Sequence, residues 1–371
     1  MCIVLLTTSH PKYALVVIDN RDEYILRPTS RPHWWKATPE TPAVNGSANG
    51  VAKAAPPAEV EVLSSRDLQR AERGTWLGIT KGGNFAVLTN YRETDTHDVA
   101  HPVHGKRSRG GMVTAWLGAD PAESTERFVT RMLEDGGVKG VGGFSLICGK
   151  LRKVKGDSNN IEPLAIISNR CDHVGQVPWI CGERSSIYGL SNATYLHPEQ
   201  EDKEELWPKI REGREAMLRA VTEKMDEKEL QEALFEILDT DRFPSDHTMD
   251  LEEGIPLLKD SIFIPAFGGK SHQEEMAEAR LRGQVKHKDR DSPAAEVLTI
   301  VARPDDQPNG FQTGLYGTQR QTIILVDWDG NVTYTERALW DPHGNPIPRG
   351  SGDETFRFKI EGWEKEEELC N

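Results

Sequence analysis

The chain opens on two apolar runs separated by one short turn. Cys2-Ile3-Val4-Leu5-Leu6-Thr7 and Tyr13-Ala14-Leu15-Val16-Val17-Ile18 each have the length and composition of a short buried strand. Ser9-His10-Pro11-Lys12 between them is a turn. If the runs pair across it, the end of the second lies beside the start of the first. The second run continues directly into Asp19-Asn20-Arg21-Asp22-Glu23. A polar cluster therefore stands at a strand end, where a rigid sheet can aim side chains at a site. Asn20 and Asp22 share one face of the strand, and Arg21 and Glu23 share the other.

The rest of the chain reads as mixed α and β. Residues 84–90 form a strand, as do 141–148 and 164–167. Asp120-Pro121-Ala122-Glu123 has the form of a helix start, with Phe128, Val129, Met132 and Leu133 on the apolar face and Gly136 at the end. Residues 202–221 and 226–238 read as two further helices, the second behind an Asp226 cap with Glu229. Thr322–Trp328 and Asn331–Arg337 flank Asp329-Gly330, a strong hairpin signal. Thr355–Ile360 alternates as a late strand, and 364–368 reads as an acidic tail. Residues 36–61 are rich in Pro, Ala and Gly and read as a flexible insertion; 268–295 read as a charged, exposed insertion. With both set aside, strands lie near each end with helices between them. That order lacks the βαβα alternation of a doubly wound sheet and fits antiparallel sheets with helices outside. Length alone gives a prior of about two domains; the interleaving favours a single one over 1–371.

Charge and cysteines narrow the function. Lys and Arg number 45 against 59 Asp and Glu, a net charge of −14. A general nucleic-acid binder normally carries a basic face, so no nucleic-acid partner is expected. Electrostatic docking on anionic membranes is disfavoured too. No apolar run approaches the ~20 residues of a transmembrane helix, and the start of the chain lacks the basic region of a secretory signal. The five cysteines are an odd, sparse set that reads as reduced thiols in an intracellular compartment. Cys171, His173 and Cys181 fit no standard zinc spacing, and no metal site is expected.

Two groups of residues carry candidate chemistry. Removal of Met1 would leave Cys2 with a free α-amine beside its thiol. An amine with a pKa near 8 can act as base for its own side chain, a known route to an N-terminal nucleophile. The alternative is that Cys2 is a small apolar residue opening a buried strand. Asp22, brought beside it, would hold the ammonium; the alternative is a plain ion-pair cluster of Arg21 with Asp22 or Glu23. The second group is Lys106-Arg107-Ser108-Arg109-Gly110-Gly111, a basic loop before a helix-like stretch. Lys106, Arg107 and Arg109 there could hold phosphates, those of coenzyme A for example, or simply be solvated.

These residues also carry a resemblance. MCIVLL, Asn20-Arg21-Asp22-Glu23 with Arg27-Pro28, Gly74-Thr75-Trp76-Leu77-Gly78-Ile79, Leu88-Thr89-Asn90-Tyr91, Ser108-Arg109-Gly110, Tyr188-Gly189-Leu190-Ser191-Asn192-Ala193, Tyr316-Gly317-Thr318 and Thr335-Glu336-Arg337 occur in that order. Together they resemble the Transport and Golgi organisation protein 2 family, also called the NRDE family. The resemblance implies an N-terminal-nucleophile-hydrolase-like α+β fold: an αββα four-layer sandwich of two stacked, mainly antiparallel sheets flanked by helices. It implies Cys2 as nucleophile, Asp22 orienting the amine, Asn90 and Asn192 near an oxyanion, and a later Arg. Family members usually read Tyr-Gly-Thr-Arg; here the segment is Tyr316-Gly317-Thr318-Gln319-Arg320. Arg320 falls one step late, which predicts a side chain on the opposite face, and Asp19 replaces an Arg that those hydrolases carry. Both departures favour a carrier over a Cys2-dependent amidohydrolase or acyltransferase. The implied ligand is an acyl lipid, acyl-CoA or haem held near Cys2, with Asn20 and Arg21 at its edge. The implied setting is cytoplasmic, beside Golgi or mitochondria, with peripheral membrane association, in Golgi organisation, secretory traffic and lipid or haem handling.

Overall fold

The computed structural model describes residues 2–38, 59–91, 108–138, 141–154, 156, 159–184, 186–193, 195–197, 206–287 and 313–364. The elements run β1 (Ile3–Thr7), β2 (Tyr13–Tyr24), β3 (His33–Ala37), β4 (Val60–Ser64), β5 (Leu77–Thr80), β6 (Asn84–Asn90), α1 (Gly110–Leu117), α2 (Thr125–Glu134), β7 (Phe144–Lys150), β8 (Leu164–Ser168), β9 (Trp179–Ile180), β10 (Ile187–Leu190), α3 (Pro208–Thr222), α4 (Glu227–Leu238), α5 (Leu251–Gly254), α6 (Lys270–His287), β11 (Tyr316–Asp327), β12 (Asn331–Ala338) and β13 (Asp353–Lys359).

The strands form two antiparallel sheets. The first has the order β10-β1-β2-β11-β12-β13 and the second β3-β4-β5-β6-β7-β8-β9. Alternate residues of each strand face different layers. Val4, Leu6, Leu15 and Val17 of the first sheet meet Leu77, Ile79, Phe85, Val87 and Ile147 of the second in a shared core. Their neighbours Ile3, Leu5, Val16 and Ile18 face outward and pack under Ile210, Met217, Leu230 and Leu234 of α3 and α4. On the other outer face, Ala86, Leu88, Leu146 and Cys148 lie under Met112, Val113, Trp116 and Phe128 of α1 and α2. Helix, sheet, sheet, helix is the αββα sandwich expected. It also explains the unbroken apolar stretches Ile3–Leu6 of β1 and Ala14–Ile18 of β2: each is covered on both faces.

Local signals account for most boundaries. The Asp226 carboxylate accepts from the Glu229 N–H and the Glu229 carboxylate accepts from the Asp226 N–H, a complete capping box on α4. The β11–β12 hairpin closes through Asp329-Gly330, where Gly330 sits at φ 80° and Asp327 Oδ1 accepts the N–H groups of Asp329 and Asn331. Gly136, at φ 71°, follows the end of α2.

Several boundaries differ from the sequence reading. The helix expected at Asp120 starts instead behind Ser124, whose hydroxyl accepts from the Arg127 N–H. Asp120 makes a turn with Ala122, which leaves Glu123 free to pair with Arg131 on the second turn of the helix. The helix expected from 202 begins at Pro208; residues 201–205 lie outside the described set. Lys36 and Ala37 at one end of the 36–61 insertion pair with Glu61 and Val60 at the other as β3 and β4, and residues 39–58 lie outside the described set. The 268–295 insertion begins as helix α6. Within α6, Met276 and Ala279 are buried, and Met276 packs with Ile25 and Leu315. Its charge density hid these spaced apolar contacts. Residues 288–295, and 365–368 of the acidic tail, lie outside the described set. Among the described residues, no helix is long and apolar enough to cross a membrane.

Candidate functional site

β1 and β2 pair with Ile3 opposite Asn20, so the polar cluster comes up beside Cys2. The cluster is not a strand end: β2 continues through it to Tyr24, paired with β11 along its length. The Cys2 thiol donates to the Asp22 carbonyl, with Sγ 4.0 Å from the oxygen. That same carbonyl accepts from the Tyr316 hydroxyl at 3.1 Å. The Ser191 hydroxyl donates to the Cys2 carbonyl at 2.7 Å, fixing the other side of the residue.

A cleft of about 160 Å³ opens at this point, lined by Cys2, Arg21, Asp22, Glu23, Arg27, Asp67, Arg70, Trp76, Asn90 and Arg109 among others. Four guanidinium groups and three carboxyl groups thus share one small space. Arg21 lies over the Trp76 ring, 4.4 Å from its centroid. Arg27 bridges Glu23 (3.1 Å) and Asp67 (Nε, 3.1 Å). Arg109 donates to the Gly143 carbonyl at 3.3 Å, which ties the start of α1 to the residue just before β7.

Burial sets the protonation of these groups. It pushes the Cys2 thiol up to about 11, with nearby Asp22 and Asp19 adding to the rise. It pushes the Asp22 carboxyl up as well, against the pull of Lys209 and the Thr318 hydroxyl; that hydroxyl donates to Asp22 Oδ1 at 2.8 Å. Burial acts the same way on Glu23, but Arg27 and Arg21 outweigh it and hold that carboxylate low. Burial draws the Arg109 guanidinium down, with Glu23 opposing.

The family model described as Transport and Golgi organisation 2 matches residues 1–341. The chain belongs to that family. The Transport and Golgi organization protein 2 homolog of Bos taurus is 27% identical over 352 residues, 91% of this chain and 93% of the relative. The Homo sapiens homolog is 26% identical, covering 92% and 94%. Among solved structures, the C2A mutant of conjugated bile acid hydrolase from Clostridium perfringens aligns over 97% of both chains, at 11% identity and TM-score 0.33. An N-acylethanolamine-hydrolyzing acid amidase ortholog of Caenorhabditis elegans aligns over 66% of this chain and 88% of its own, at 11% identity and TM-score 0.31.

In this Transport and Golgi organisation 2 member, the cleft brings together Cys2, Arg21, Asp22, Asn90 and Arg109 of the residues singled out from sequence. Asn192 is buried next to Ser191, which bonds Cys2, but it is not among the lining residues. Asn20 is not there either. Its amide donates to the carbonyls of Leu238 (2.8 Å) and Ile262 (3.0 Å) and ties the first sheet to the segments outside it. Arg320 is likewise absent from the lining. It pairs with Glu336 at 3.8 Å and with the Thr29 hydroxyl at 2.9 Å. It does not turn to the opposite face, because β11 absorbs the extra residue as an irregularity between Thr318 and Arg320 and sets Arg320 opposite Arg21. Lys106 and Arg107 lie outside the described residues. Sequence reasoning missed Arg27, Arg70 and Asp67 as lining residues, and it missed Lys209, fully buried and electrostatically coupled to Asp22. A lysine beside Pro208 at a helix start carries no sequence signal of burial.

Proposed function

We propose that this protein is a carrier or trafficking factor that binds an acyl lipid or acyl-CoA, holding the ligand's anionic end in the cleft beside Cys2. The observation that carries the reading is the convergence of four guanidinium groups on one small cleft next to a neutral thiol: Arg27 is matched by Glu23 and Asp67, and Arg21, Arg70 and Arg109 stand beside that bridge. Guanidinium forks suit carboxylate and phosphate, and their hydrogen bonds strengthen away from water. A site enclosing a drug-sized ligand is typically ~300 Å³ or larger. The cleft, at about 160 Å³, suits the polar end of a longer ligand better than an enclosed macrocycle, so acyl ligands are favoured over haem. The transport setting near the Golgi comes from the names of the relatives.

Titration with oleate, oleoyl-CoA and haemin tests this reading. Saturable binding of an acyl ligand is expected, with affinity falling about tenfold or more in an Arg70→Ala/Arg109→Ala variant, on the scale of charged hydrogen bonds. Absence of saturable acyl binding, or unchanged affinity in the double variant, would overturn it.

A second reading is favoured by one contact, the Cys2 thiol against the Asp22 backbone carbonyl, with Asn90 in the same cleft. On that reading Cys2 is the nucleophile of an amidohydrolase or acyltransferase. A chain starting at Cys2 would couple the thiol to an α-amine titrating near 8. With Met1 retained, alkylation by iodoacetamide should keep rising towards pH 11, the value to which burial pushes the thiol. Intact mass and this pH profile separate the readings: Met1 retained together with the alkaline profile leaves only the carrier.

A further inference from the structure

Gln319 is the one residue of β11 that β2 does not match. Thr318 pairs with Asp22 and Arg320 with Arg21, so the register steps over Gln319. An extra residue of this kind re-aims its side chain. The Gln319 amide is buried and is used at both ends. Its Oε1 accepts from Nη1 of Arg21. Its Nε2 donates to the carbonyls of Ile25 (3.1 Å) and Arg27 (2.8 Å). One side chain therefore grips the guanidinium of Arg21, with Trp76 stacked on its face, and pins the backbone that leaves β2 carrying Arg27. Gln319 itself does not line the cleft.

We propose that Gln319 is a positioning residue that holds the Arg21 guanidinium preset, while Arg27 stays tied to Glu23 and Asp67, so that the cleft selects a ligand bearing a carboxylate or phosphate over a neutral one. This deepens the carrier reading and rests on it. A neutral amide is the group that fits: it accepts from the arginine without neutralising it and donates to two carbonyls. A carboxylate of the same shape would cancel the Arg21 charge and repel both carbonyls.

Cys2, in the same cleft, reports the local potential without any natural ligand. The test compares alkylation of Cys2 by anionic iodoacetate and neutral iodoacetamide, followed on the Cys2 peptide by mass spectrometry. In Gln319→Glu the iodoacetate-to-iodoacetamide rate ratio should fall at least about fivefold, as expected for loss of one nearby positive charge in a partly dehydrated site. In Gln319→Met, which keeps the length without donor or acceptor, the ratio should fall about twofold. A folded Gln319→Glu protein with the wild-type ratio overturns the proposal. If that variant does not fold, an unchanged ratio in Gln319→Met does so. Failure of both to fold also overturns it, since a residue the fold requires is not a device for ligand choice. Oleate titration is run alongside: wild-type protein that binds none ends the carrier reading, while the alkylation ratio still decides the role of Gln319.

Discussion

The central strand pairs of the two sheets are equally buried and differ sharply in content. In the second sheet, β6 and β7 meet through Ala86, Val87 and Leu88 against Cys148, Ile147 and Leu146, and the buried polar residues beside them, Asn84, Thr89 and Ser145, carry no charge. In the first, β2 and β11 start the same way, with Leu15 to Ile18 against Ile323 to Val326. They then change to Asp19, Asn20, Arg21 and Asp22 against Thr318, Arg320, Gln321 and Thr322, buried just as deeply. Both oxygens of Asp19 and the Nε of Arg320 have no hydrogen-bond partner among the described residues. Burying polar groups in this way costs stability. The cost is concentrated at the end of the first sheet that adjoins the cleft, so one half of a strand pair builds the fold and the other half sustains charge beside Cys2.

The sharpest way to break this comparison is to remove one member of each pair. Glu336 is buried, pairs with Arg320, and accepts from the Ser65 hydroxyl at 2.6 Å and the Tyr334 hydroxyl at 3.2 Å. Glu336→Ala strands an arginine and two hydroxyls, and should destabilise by about 3–5 kcal/mol in urea titration. Leu146→Ala in the second sheet should cost a similar ~2–5 kcal/mol through the cavity it leaves. The two losses differ in how they are rescued. Arg320→Leu/Glu336→Leu replaces the whole pair with hydrocarbon and should recover the loss, reaching about 1–4 kcal/mol above wild type. No second truncation recovers Leu146→Ala. A double variant as unstable as Glu336→Ala would show that the polar half holds the sheet together rather than burdening it.

The fold was legible wherever local chemistry and periodicity agreed. The opening strands, the α4 capping box and the Asp-Gly hairpin are each set by residues within a few positions of one another. The nearness of Cys2 and Asp22 was legible for the same reason, since one short turn joins their strands; that the thiol meets the Asp22 carbonyl was not. What escaped depends on long-range partners. Arg320 looked out of phase because a bulge leaves no sequence mark of its own. Asn20 looked like a site residue because its true partners, the carbonyls of Leu238 and Ile262, lie more than two hundred residues away. Helix α6 read as solvated because its charges outnumber Met276 and Ala279, the residues that dock it.

The smallest effect expected is also the one that decides the sign of the charge inlay. Burial, with Asp22 and Glu336 adding to it, pushes the Asp19 carboxyl well above its usual value of 3.8; Arg21 opposes the rise. A carboxyl that holds its proton more tightly in the folded chain contributes fully to stability below the unfolded value. That contribution is lost as pH rises towards the folded one. At pH 7 the wild type therefore carries a penalty that a neutral amide does not. Asp19→Asn should be more stable than wild type at pH 7, by about 1 kcal/mol on the mutational scale for buried polar groups. The gain should shrink as pH falls and vanish near pH 4, which urea midpoints at intervals from pH 4 to 8 would reveal. The opposite slope, with Asp19→Asn losing stability at pH 7 and matching wild type at pH 4, would mean that Asp19 is ionised and paired with Arg21. The polar half of β2 would then be a charge network that stabilises the first sheet as effectively as hydrocarbon stabilises the second.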